Sequence, residues 1–207
     1  MTRTFIVSVI LLISFSTGIA QSEWKFKKVD ENGIEIFTRD KNDSPYKEYR
    51  ITALLPTQPE TILKELIEAP KYMEGAEPGV SYYLKEQGPD QHLFYVVKKL
   101  PWPIKDRDLI TLITVKRPSD DTIILTMEGF PEGLPLVKNT IRIKNLMGQW
   151  TLKKSGDNTA VTQQLFVDPE GSLPPFVTNS MLTKGPYKTF LELLDVAKND
   201  KSQDLGI

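Results

Sequence analysis

Arg107 is the residue in this chain whose type and setting most invite chemistry. It stands in Leu100-Pro101-Trp102-Pro103-Ile104-Lys105-Asp106-Arg107-Asp108-Leu109-Ile110, where a proline-stiffened apolar loop runs into a strand. Strand alternation places Leu109, Thr111 and Ile113 on the same face as Arg107. If that face turns inward, the guanidinium is a buried cation that needs a carboxylate or a ligand as its partner. If it turns outward, Arg107 is an ordinary exposed arginine at a strand end. A second stretch, Gly129-Phe130-Pro131-Glu132-Gly133-Leu134-Pro135-Leu136-Val137-Lys138-Asn139, is an apolar loop rich in proline and glycine. Exposed, it is a lid or a membrane-contact edge; otherwise it packs under the last helix.

Other chemistry is largely excluded. His92 is the sole histidine and the chain has no cysteine, so a multi-histidine metal centre and a thiolate nucleophile are both ruled out. No H-E-x-x-H, G-x-S-x-G, G-x-x-x-x-G-K-[ST] or G-x-G-x-x-G occurs. The expectation is therefore no catalytic residue, no metal and no cofactor, in a protein that is not an enzyme. A formal net charge of −1 supplies no basic face for nucleic acid.

The elements that must position these residues follow from periodicity. Arg3, the apolar run Phe5 to Phe15 and the small residues Gly18-Ile19-Ala20 have the layout of a cleavable export signal over residues 1–20. The expected location is periplasmic or secreted. Residues 21–200 form one domain, and 201–207 are a polar tail. Ser22 to Val29 suits a short capped helical turn. Strands are expected at Ile34–Arg39 and Tyr46–Leu54, then a helix with Ile62, Leu63, Leu66 and Ile67 as its apolar stripe. Three strand pairs follow: Val80–Lys85 with Gln91–Lys99, Lys105–Lys116 with Thr122–Phe130, and Ile141–Lys153 with Thr159–Val167. The last segment, Leu173 to Lys198, reads as a helix of about six turns. Its face carries Phe176, Ser180, Thr183, Tyr187, Phe190, Leu194 and Ala197, and Gly185-Pro186 should bend it mid-way. Strands first and a long helix last make an α+β arrangement with a meandering antiparallel sheet.

Three features together resemble a START domain, the StAR-related lipid-transfer family. They are Pro101-Trp102-Pro103 followed by Arg107-Asp108, Ile141-Arg142 with Trp150 beyond, and Asp168-Pro169-Glu170-Gly171-Ser172-Leu173-Pro174 ahead of the terminal helix. The resemblance implies a helix-grip fold: a curved antiparallel β-sheet wrapped around a long C-terminal α-helix, with a tunnel between them for one lipid-like molecule. It implies binding of a hydrophobic small molecule by a monomer that makes transient membrane contact. The implied ligand-binding residues are Arg107, Leu109, Thr111, Glu128, Phe176, Ser180, Thr183 and Tyr187. Arg107 would be a cavity-facing cation meeting a ligand head group or Glu128, since His92 to Val97 offers no carboxylate. A helix-grip enzyme acting on a hydrophobic substrate and a filled-core partner-binding domain are the alternatives.

Overall fold

The computed structural model describes residues 22–68, 81–171, 173–174, 178–179 and 182–204. Its strands are β1 (Lys25–Val29), β2 (Glu35–Asp40), β3 (Lys47–Leu55), β4 (Ser81–Gly88), β5 (Gln91–Lys98), β6 (Asp106–Ser119), β7 (Thr122–Gly129), β8 (Thr140–Ile143), β9 (Leu146–Ser155) and β10 (Asn158–Val167). Helix α1 (Pro59–Glu68) follows β3, and α2 (Lys184–Asp204) closes the described chain. One sheet runs in the order β1-β2-β3-β10-β9-β7-β6-β5-β4. The last strand therefore pairs with the third, Leu55 lying opposite Thr159, which joins the N-terminal hairpin to the later meander. This is the curved sheet and C-terminal helix of the helix-grip fold.

Alternating residues of the sheet turn towards the helices. Ile36, Ile51, Val161, Trp150, Leu152, Leu125 and Val115 share one buried cluster with Ile62 and Ile67 of α1 and Phe190, Leu193, Leu194 and Ala197 of α2. The α2 residues recur at helical spacing, and Phe190 stacks on Trp150 with centroids 5.3 Å apart. Thr57 and Thr61 donate hydroxyl hydrogen bonds to Asp200, and Thr159 donates to the Thr57 carbonyl at 2.7 Å. The start of α1, the end of α2 and β10 are thereby tied together.

The structure departs from the sequence reading in four places. Lys25–Val29 is a strand, because pairing with β2 satisfies its backbone where a lone helical turn would leave most groups unmet. Residues 141–153 hold two strands, broken at Lys144-Asn145, and β8 pairs with β6 in parallel. Gly129 permits the break: a Cβ there would lie 2.3 Å from the Lys144 carbonyl oxygen. Helix α2 starts at Lys184, so Pro186 sits in its first turn, where its missing N–H has no partner to lose, and no mid-helix bend arises there. Finally, the Phe130 stretch does not pack under α2. Phe130 packs with Leu93, Tyr95 and Ile110 on the opposite face of the sheet.

Candidate functional site

Two buried ionic arrangements flank the start of β6, one on each face. On the helix-facing side, Arg107 is 4% exposed. All three guanidinium nitrogens are engaged by backbone: Nε donates to the Pro169 carbonyl and Nη2 to the Glu170 carbonyl, both at 3.0 Å, and Nη1 donates to the Lys105 carbonyl. Burial pushes the guanidinium below its ordinary value, with nearby Tyr46 opposing the shift. The sequence supplies the turn that receives it. Glu170 and Gly171 take positive φ, and the Asp168 carboxylate accepts the Glu170 N–H at 2.9 Å. Arg107 therefore clamps the segment leading to α2.

On the outer face, the next residue makes the ion pair that the sequence reading did not find. Arg142 on β8 donates from Nε to Asp108 Oδ1 at 3.0 Å and from Nη2 to Oδ2 at 2.8 Å. Both side chains are almost wholly buried, at 2% and 1% exposure. The Tyr95 hydroxyl adds a third donor to Asp108, at 3.1 Å. The other edge of Arg142 donates to the carbonyls of Pro131, Leu134 and Pro135. A bidentate pair with every remaining donor occupied is the condition under which burying two charges is tolerated. Its signal was the Ile141-Arg142-Ile143 alternation, which put a cation on a strand beside β6.

The other expected site residues divide. Leu109 is buried with Ile143 and Leu146 in a cluster that Val96, Met127, Leu165 and Val167 flank. Thr111 is buried beside it. Glu128 does not join them: it is exposed and lies opposite Leu112 on the outer face, so it cannot meet Arg107. Thr183 caps α2, its carbonyl accepting the Tyr187 N–H at 2.9 Å. Tyr187 does not reach into the concavity with its polar end. Its hydroxyl donates to Asp30 Oδ2 at 2.8 Å, and Lys28 Nζ lies 3.9 Å from its ring centroid. Phe176 and Ser180 lie outside the described residues.

These observations put an apolar concave wall, a terminal helix across part of it and an arginine-clamped turn between them. The sequence matches the START domain family over residues 17–199. The chain belongs to the START family. Among solved structures, this START chain is similar to a STAR-related lipid transfer protein from Xanthomonas axonopodis. That likeness has 28% identity and a TM-score of 0.73, and covers 84% of this chain and 98% of the other. It is also similar in fold to human StAR-related lipid transfer protein 5, with 16% identity and a TM-score of 0.70, covering 89% of this chain and 90% of that one. A Pseudomonas aeruginosa relative of uncharacterised function is 29% identical over 180 residues, covering 85% of this START chain and 87% of its own length.

Proposed function

We propose that this START protein binds a lipid-like or other hydrophobic small molecule between its sheet and its terminal helix, and does so without catalysing a reaction. One observation carries the reading. The cluster of Leu109, Ile143 and Leu146, with Val96, Met127, Leu165 and Val167, lies on the helix-facing side of the sheet, yet among the described residues none from α2 belongs to it. An aliphatic ligand seated on that wall gains about 0.8 kcal/mol per CH₂ removed from water. The lipid-transfer relative from Xanthomonas supports the ligand class. The engagement of Arg107, Asp108 and Arg142 with the protein itself supports a binding role, because no buried ionisable group among them is left to move a proton.

The ligand is taken from or given to a membrane at one rim. The loops entering β6 and β8 lie side by side because those strands are parallel neighbours. They expose Trp102 (92%), Leu136 (77%) and Val137 (48%), with Lys98, Lys99, Lys105 and Lys138 exposed around them. An indole among lysines suits the interface of an anionic bilayer. The protein acts as a monomer after export and removal of residues 1–20, and hands its ligand on.

The deciding experiment is mass spectrometry of an organic extract of the purified protein, alongside uptake of a pyrene-labelled lipid. The expected result is a stoichiometric hydrophobic molecule and saturable uptake. Leu165→Trp, which fills the wall, should abolish that uptake while the protein remains folded. An empty extract together with no uptake by the unmodified protein would refute the reading.

A further inference from the structure

The buried polar groups of the protein point to the kind of ligand. Nine polar or charged residues are buried among the described ones: Thr38, Glu48, Thr57, Arg107, Asp108, Thr111, Arg142, Thr159 and Gln163. The charged members are all matched. Glu48 accepts from Arg39 at 2.6 Å, Asp108 and Arg142 hold each other, and Arg107 has its carbonyls. Thr57 and Thr159 donate to Asp200 and to the Thr57 carbonyl. What remains unmatched is uncharged. Thr38 Oγ1 is buried with no hydrogen-bond partner. Gln163 Oε1 accepts from the Tyr49 hydroxyl at 3.0 Å.

These groups share one corner. Thr38 lies opposite Tyr49 in the β2–β3 ladder, on the same face as Ile36, and Tyr49 reaches Gln163 on β10. Thr178 brings a further buried hydroxyl without a partner. Its neighbour Asn179 accepts from the Lys47 N–H at 3.0 Å, fixing that residue to the start of β3. A buried hydroxyl left unmet is costly, so an arrangement that leaves two in one corner is made for a partner that arrives later. The remaining unmatched buried atom, Arg50 Nε, lies on the opposite face between the rings of Trp24 and Phe37.

We infer that Thr38 and Thr178, beside the Tyr49–Gln163 pair, form a hydrogen-bonding pocket for the uncharged polar end, a hydroxyl or carbonyl, of an amphiphile, and that an ionised head group is excluded. This rests on the ligand-binding reading above. An ionised carboxylate or phosphate here would meet hydroxyls and an amide without a counter-charge, which does not repay its desolvation.

The test uses three chain-matched pyrene probes, a long-chain alcohol, the corresponding fatty acid at a pH where it is ionised, and the plain alkane. The alcohol is expected to bind at least tenfold tighter than the ionised acid. Thr38→Val keeps the shape and removes the hydroxyl. It should weaken alcohol binding about tenfold, leave alkane binding unchanged, and raise the thermal midpoint of the ligand-free protein. Thr178→Val should act in the same direction and serves as the second variant should Thr38→Val fail to fold. If the acid binds as tightly as the alcohol, or valine at both positions leaves alcohol binding unchanged, the pocket is refuted while hydrophobic binding stands. If no probe binds at all, both readings fall.

Discussion

Asp108 and Arg107 are adjacent in sequence but stand on opposite faces of β6, and their replacements should separate accordingly. Asp108→Asn leaves Arg142 buried without its counter-charge, and should cost about 3–5 kcal/mol in denaturant unfolding. Tyr95→Phe removes one donor to the same carboxylate and should cost about 1 kcal/mol. Strand alternation left Arg107 open between inward and outward, and the family resemblance implied a ligand head group or Glu128 as its partner, whereas backbone carbonyls receive it. The sequence reading missed the neighbouring pair because alternation presumes one dry face. In β6 the residues from Arg107 to Thr111 are all buried, since the Phe130 stretch covers the outer side while the grip encloses the inner one. A strand covered on both faces carries no parity signal. Tyr187 gives a pH test. Against burial, which pushes the Asp30 carboxyl up, hydrogen bonds from the Ile34 N–H, the Tyr187 hydroxyl and Asn32 hold it below 3.8. Such a group stabilises the fold above its unfolded value and loses that contribution as pH falls through the folded one. The Asp30 bond, with burial adding to it, holds the Tyr187 phenol above 10.0, so its contribution is present below that value and is lost as pH rises through the folded value. The stability difference between the native protein and Tyr187→Phe should be largest between those limits and shrink on either side, as pH-dependent melting can record.

Helix α2 shows what local pattern can and cannot specify. The apolar spacing of Phe190, Leu194 and Ala197 was legible, and those side chains do form the buried stripe. The start of the helix was not, because prolines at 174, 175 and 186 each suit a first turn and only packing chooses among them. The choice is testable. Pro186→Ala should change stability by less than about 1 kcal/mol, whereas relief of an interior proline would add about 3. The parallel β6–β8 pair was hidden for a similar reason. Residues 141–153 read as one strand, and the break depends on how closely Lys144 approaches Gly129, a contact between distant segments. Gly129→Ala should push that turn away and cost roughly 1–3 kcal/mol, with hydrogen exchange rising first in Thr140–Ile143.

Strand order lies furthest from local pattern. The hairpins were readable from their turns, but nothing in Tyr46–Leu54 names β10 as its neighbour, and that pairing closes the grip. Its consequence is that a bound molecule would contact walls contributed by both ends of the chain. Ligand that binds only the folded state stabilises it by mass action, about 2.7 kcal/mol at a hundredfold excess over Kd. Delipidated protein should therefore melt lower than protein as purified, and re-addition of the extracted molecule should restore the midpoint.

The outermost strand bears on how such a protein survives at high concentration. β1 is exposed along its whole length, ends the sheet and includes Lys25, Lys27 and Lys28, with an irregular register between Phe26 and Lys28. An open row of peptide groups beside Phe26 and Val29 would template the same row on another copy; positive charge and a broken register both discourage that stacking. Replacing the three lysines with threonine should leave the melting midpoint nearly unchanged while thioflavin-positive fibrils appear on storage.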